Sequence, residues 1–226
     1  MPEIILILEP DAGRLTAETS AATVQETAQI KNLFGQGTAL NCARPAASAN
    51  KIVETDSNAF DDEPDKKTIN LFRIYHCSTV DGPGRRSVIQ VAGCSLRCAG
   101  CYVPETHDPA NGARVSIAWL VEQMNRRRAE HDGVTILGGE PFDQTASLQQ
   151  LVSKLKANGF HLVIYTGRTL EELLARKCRM TDEVLSKADV LIDGAFVKSL
   201  ARNAGEYRGS SNQRIVESPL VRKNNS

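Results

Sequence analysis

"GVTILGGEPFDQTASLQQLVSKLKANGFHLVIYTG" runs from residue 133 to residue 167, and its changes of rhythm decide the fold. "GVTILGG" is a short apolar run of strand length. "TASLQQLVSKLKANG" is amphipathic at helical spacing and closes on Gly159, and "FHLVIYTG" is a second apolar run. A strand, a helix and another strand predict a βα unit with parallel pairing.

The same alternation extends in both directions. Upstream, "NLFRIYH" and "SVIQVAG" read as strands and "SIAWLVEQMNRRRAEH" as a helix capped by Ser116, with Trp119 assigned to the core beside Ile117, Leu120 and Val121. Downstream, "TLEELLARK" reads as a helix and "ADVLIDGAF" as a strand. The class is therefore α/β, with a parallel sheet. A closed eight-unit barrel rarely takes fewer than about 200 residues. The region from Thr68 to Ile215 is shorter than that, so the expected architecture is a partial, open βα barrel. Ahead of it, "EIILILEPDAGRLTAET" reads as two strands around a Pro-Asp-Ala-Gly turn and "TVQETAQIKNLF" as a short helix. The expected organisation is a small hairpin-plus-helix unit over 1–34, a flexible linker over 35–68, the core over 69–217 and a disordered tail over 218–226.

Lysine plus arginine and aspartate plus glutamate balance at 27 each, so no global field recruits nucleic acid or an anionic membrane. The opening "MPEIILILEP" holds an apolar run too short for a signal peptide or a bilayer span. A cytoplasmic location follows as the expectation, and in a reducing compartment clustered cysteines are metal ligands or catalytic thiols more often than disulfides.

In open α/β sheets ligands gather at the carboxyl ends of the strands, and the unusual residues fall there. Cys94, Cys98 and Cys101 follow "SVIQVAG"; Gly138-Gly139-Glu140-Pro141 follows "VTIL"; Thr166-Gly167 follows "LVIY"; Asp193-Gly194 follows "VLI". Three thiols leave a tetrahedral zinc site one ligand short, unless His107, or His76 and Cys77, complete it. They equally suit an iron-sulfur cube with three capped corners and one open iron. Glycines let backbone approach a ligand closely, and Pro141 holds Glu140 extended, an arrangement suited to an ammonium group. An open iron that chelates an amino acid's amine and carboxylate, beside such a site, describes a place for S-adenosylmethionine.

The Cys-x3-Cys-x2-Cys triad followed by Gly-Gly-Glu-Pro at a strand end resembles the radical S-adenosylmethionine (SAM) superfamily. "DGPGRR", "GCSLRCAGCYVPETHD", "ILGGEPF", "IYTGRTLEEL", "DVLIDGAF" and "YRGSSNQRI" occur in the order found in the small activating enzymes of anaerobic ribonucleotide reductase. The resemblance covers roughly residues 70–216. It implies that Cys94, Cys98 and Cys101 ligate a 4Fe-4S cluster and serve catalysis. It also implies that Gly100, Cys101 and Tyr102 lie against the adenosyl part, that Gly139 with Glu140 holds the methionyl amine, that Gly138 beside them is a cofactor-binding residue, and that Thr166 and Gly167 are candidates for the ribose side. The cofactors implied are the cluster and SAM, and the reaction is reductive cleavage to a 5′-deoxyadenosyl radical. The implied partners are a glycyl-radical enzyme and an external one-electron donor such as flavodoxin. Arg208, Asn212, Gln213 and Arg214 match the family's closing motif. Val103 and His107 stand where the family has an Asn and an aromatic residue, which keeps open a radical modifier of another protein or peptide. A non-enzymatic zinc or iron-sulfur binding module is the reading from outside the class.

Overall fold

The computed structural model describes residues 4–9, 14–19 and 67–220; the helix expected within 1–34, most of the expected linker and the end of the expected tail lie outside them. The chain divides into two compact units, Met1–Ile52 and Val53–Ser226. In the first, β1 (Ile4–Glu9) and β2 (Arg14–Thr19) pair antiparallel, with Ile4 opposite Thr19 and Glu9 opposite Arg14. These are the two strands that the Pro-Asp-Ala-Gly turn predicts.

The second unit is built on a seven-stranded sheet. Its strands are β3 (Thr68–Ser78), β4 (Arg86–Val91), β5 (Ala113–Ser116), β6 (Gly133–Gly138), β7 (Leu162–Tyr165), β8 (Val190–Asp193) and β9 (Arg214–Glu217). The order is β5-β3-β4-β6-β7-β8-β9, so the sheet is open between β5 and β9. Strands β4, β6, β7 and β8 run parallel to one another, while β3, β5 and β9 join antiparallel. The wholly parallel sheet expected from the sequence is thus corrected to a mixed one. Between β3 and β4 lies only the turn around Gly82 and Gly84, too short for the crossover that parallel strands need.

Four helices follow the pattern: α1 (Ile117–Arg126), α2 (Thr145–Ala157), α3 (Leu170–Ala175) and α4 (Arg179–Leu185). Leu148, Leu151, Val152 and Leu155 of α2 recur at helical spacing and are buried. They pack with Ile117, Leu120 and Met124 of α1 onto Ile89, Val134, Ile136, Leu162, Ile164 and Leu191 of the sheet. The alternate strand positions, Val163, Val190 and Ile192, form a separate cluster with Tyr165 and Tyr207 on the other face. Helix α3 starts with a full capping box: Glu172 N–H donates to Thr169 Oγ1 at 3.2 Å, and Thr169 N–H to Glu172 Oε2 at 2.8 Å. Trp119 was expected in the core but is 39% exposed, because the inward stripe of α1 is Ile117, Leu120, Val121 and Met124, which leaves position 119 to one side. Among the described residues no helix is long and apolar enough to cross a membrane.

Polar groups brace the amino ends of the parallel strands. Arg86 is only 1% exposed and finds its acceptors in the carbonyls of Val134 (2.8 Å) and His161 (3.0 Å) and in Thr135 Oγ1 (3.1 Å). Burial lowers its pKa to about 10. Thr135 Oγ1 in turn donates to the Asp81 carbonyl at 2.7 Å, which ties the "DGPG" turn to β6.

Beside this brace, His76 of β3 shares a 2.7 Å hydrogen bond between Nδ1 and Ser87 Oγ. Burial first, then Arg127 and His131, hold its pKa at about 4 rather than 6.5. The folded state therefore binds fewer protons than the unfolded chain between these values, and stability falls as pH drops through that window. His76→Asn removes this contribution, so the pH dependence of urea-unfolding stability between about 6.5 and 4 is shallower in the variant than in the wild type; parallel curves would overturn the assignment.

Candidate active site

Four parallel strands deliver their carboxyl ends to one edge, and backbone hydrogen bonds lock those ends in register. Gly139 N–H donates to the Val91 carbonyl at 2.8 Å and Glu140 N–H to the Gly93 carbonyl at 2.9 Å. Gly138 has φ +115°, a left-handed value that disfavours a side chain, and a Cβ on Gly139 would sit 2.1 Å from the Gly93 oxygen. Glycine at these two positions is what lets the end of β6 lie directly against the start of the cysteine loop.

Cys94, Cys98 and Cys101 are free thiols, each half-buried, on the loop after β4. Gly93 N–H donates to the Thr106 carbonyl at 2.8 Å and Cys94 N–H to that of His107 at 3.2 Å, while Cys101 N–H closes a turn onto the Cys98 carbonyl at 3.2 Å. Burial pushes the Cys94 thiol up, Glu140 and Asp143 push it further, and backbone N–H groups of Arg97 and Leu96 oppose them. Among the described residues no group of three or more His, Cys, Asp and Glu side chains converges as the ligands of one ion must. His76, one of the candidate zinc ligands, is bonded to Ser87 at the amino end of β4.

Glu140 departs from expectation. Its side chain was expected to face an ammonium group, yet it is 0% exposed. The carboxylate accepts from Thr166 Oγ1 at 2.9 and 3.1 Å, from Gly167 N–H at 2.9 Å and from Phe142 N–H at 3.0 Å. Burial raises its pKa, and these donors hold it back down. Glu140 thus fastens the end of β6 to the end of β7, where Thr166 and Gly167 lie, and the backbone of Gly138 and Gly139 is left as the part of this motif free of a side chain.

The segment between β8 and β9 borders the cysteine loop. The side chain of Lys198 lies against Gly100, and the Tyr102 ring packs on Phe196 at 4.8 Å between centroids. Tyr102 is nonetheless 68% exposed, so one side of the loop faces solvent. Gln213 organises this segment: it donates from Nε2 to the Gly194 carbonyl at 2.9 Å, and its Oε1 accepts from Gly209 N–H at 2.7 Å and Ser210 N–H at 3.2 Å. Asp193 is buried and accepts from Leu170 N–H at 2.7 Å and Arg214 Nε at 2.9 Å; its bonds are those of a brace. The sequence reading missed Ser95, Asp143 and Arg168, which meet across three strand ends. Ser95 and Arg168 directly follow Cys94 and Gly167, and Asp143 stands two residues after the Gly-Gly-Glu-Pro run, but single polar residues in loops announce no partner.

Residues 80–216 match the model of a 4Fe-4S single cluster domain. The anaerobic ribonucleoside-triphosphate reductase-activating protein of Escherichia coli (strain K12) is 31% identical over 64% of this chain and 96% of its own length. That of Enterobacteria phage T4 is 33% identical over 65% of this chain and 93% of its own. A pyruvate formate-lyase-activating enzyme from Staphylococcus epidermidis is 34% identical over 54% of this chain and 51% of its own length.

A carboxylate braced by three donors is sensitive to losing one oxygen. Glu140→Gln turns an acceptor into a donor opposite the N–H of Gly167 or Phe142, at a cost of about 1–3 kcal/mol. Urea unfolding of the cluster-free protein reads that loss directly, whereas a side chain that served only a ligand would leave cluster-free stability unchanged.

Proposed function

We infer the function of this chain from a family premise: it belongs to the radical SAM activases, among them the anaerobic ribonucleoside-triphosphate reductase-activating proteins, and carries their 4Fe-4S single cluster domain. It is an iron-sulfur enzyme that activates a protein partner. On that premise, Cys94, Cys98 and Cys101 cap three irons of the cube and leave the fourth open to SAM. The backbone of Gly138 and Gly139 receives the methionyl amine; Gly100, Cys101 and Tyr102 border the adenosyl part, and Thr166 and Gly167 the ribose. If held there and given one electron by an external donor, cluster and SAM would supply reductive cleavage of the sulfonium and so the 5′-deoxyadenosyl radical chemistry that takes hydrogen from a glycine α-carbon of the partner.

The residues of this chain contribute placement. Glu140 keeps two strand ends together beneath the site, the helices seal one face of the sheet, and the exposed flank of Tyr102 leaves a way in for a partner's loop. We read the open sheet as the partial βα barrel of the radical SAM type, and a glycyl-radical enzyme such as an anaerobic ribonucleotide reductase as the partner, with a flavodoxin-like protein as electron donor. The carrying observation is the union of three free thiols and the Gly138-Gly139-Glu140 crossing on one sheet edge. A second reading, a radical modifier of another protein, draws support from Val103 and His107 beside the cysteines and from the first 79 residues, which precede the family match.

The test is anaerobic. Protein reconstituted with iron and sulfide, given strong reductant and SAM, forms 5′-deoxyadenosine, and Cys98→Ser does not. Added reductase then acquires a glycyl-radical EPR signal. Product without that signal moves the assignment to a different protein substrate; no product from protein carrying a full cube, with the reductase present as well as absent, removes the SAM chemistry.

A further inference from the structure

Ser95 follows the first cysteine, and its polar groups are taken up by two residues from other strand ends. Asp143 lies in the turn Pro141–Gln144 after β6, and Arg168 follows Gly167 after β7. Asp143 Oδ2 accepts from Ser95 N–H at 2.8 Å and Oδ1 from Ser95 Oγ at 3.1 Å. Arg168 donates from one terminal nitrogen to both Ser95 Oγ (3.0 Å) and Asp143 Oδ1 (2.9 Å). Each of the three side chains therefore touches the other two, and the charges cancel within the group.

The side chains of Asp143 and Arg168 are about three-quarters covered, at 25% and 22% exposure, so their fields are screened less than those of a surface pair. Arg168 Nε is also buried without a partner.

We propose that Asp143 and Arg168 are positioning residues for the iron-sulfur cluster: a charge-balanced clamp that fixes Ser95, and through it Cys94, against the ends of β6 and β7 while adding no net charge beside the cube. The clamp rests on the reading of Cys94 as a cluster ligand, but its mechanical half concerns the polypeptide alone. Two consequences separate it from a generic surface ion pair. Removing either partner frees the loop, so both changes act in the same direction on loop protection. Removing them leaves opposite charges behind, so they act in opposite directions on the cluster. An uncompensated Arg168 favours the more negative, reduced cluster, and an uncompensated Asp143 disfavours it.

The experiment uses the full chain with Asp143→Ala, Arg168→Met and the double change. In the cluster-free protein under reductant, amide hydrogen exchange at Cys94 and Ser95 speeds up about tenfold in each variant, the loss of roughly one net hydrogen bond. In the reconstituted protein, EPR-monitored redox titration gives a midpoint shifted upward in Asp143→Ala and downward in Arg168→Met. The double variant returns toward the wild-type midpoint while its loop stays unprotected. Unchanged exchange in both single variants overturns the clamp, and so do potential shifts of the same sign in proteins with full clusters. A wild type that takes up no cluster overturns the iron-sulfur reading instead, and the exchange measurement still decides the mechanical half.

Discussion

A carboxyl group withdrawn from water is tolerated only where the fold supplies hydrogen-bond partners, and Glu140 draws its donors from both sides of a strand boundary. Phe142 N–H comes from its own turn, whereas Thr166 and Gly167 belong to the end of the next strand. Once those bonds form, the ends of β6 and β7 are fixed relative to each other. The backbone at Gly139 then meets Gly93 with no room for even a methyl group, which sets where the cysteine loop begins. Each step leaves the next little freedom, so the position of three thiols follows from one buried acid.

The opposite end of the same strands solves the inverse problem. There the buried charge is the guanidinium of Arg86, and its acceptors are backbone carbonyls and a threonine hydroxyl. Neutral acceptors satisfy its geometry without neutralising it, which is why burial lowers its pKa. The two braces hold the parallel strands at both ends while the helices press on one face. The other face is packed separately, by Val163, Val190 and Ile192 with Tyr165 and Tyr207.

What could be read from the sequence followed periodicity. β6, α2 and β7 announce themselves because apolar spacing is an imprint of burial on one face or two. β5 and β9 are only four residues long and hold no fully buried position, too short for a period to stand out, and α4 is only seven residues long. Trp119 misled because an aromatic beside apolar neighbours looks like core, although one helical step of 100° separates neighbours on the circumference. Composition and spacing brought the cysteines and the Gly138-Gly139-Glu140 run to one edge. They could not show that Glu140 turns inward, because two of its three donors, Thr166 and Gly167, lie a whole βα unit away.

The clamp and the exposed tyrosine belong to one requirement. A loop that captures a cluster gives up conformational freedom, roughly 1–2 kcal/mol for each backbone residue newly fixed, so a loop already held at one end captures it more tightly. The Cys94 end is held, by the carbonyls of Thr106 and His107 and by the Ser95 contacts. The Cys98–Cys101 end rests on a local turn and on Lys198 and Phe196 of the segment before β9. If both ends were bolted to the sheet, the thiols could not adjust to the spacing of the irons, and the flank carrying Tyr102 would close against any partner. Rigidity at the first cysteine with access beside the third is therefore what a loop needs if it must both seat a cofactor and stay open to another protein.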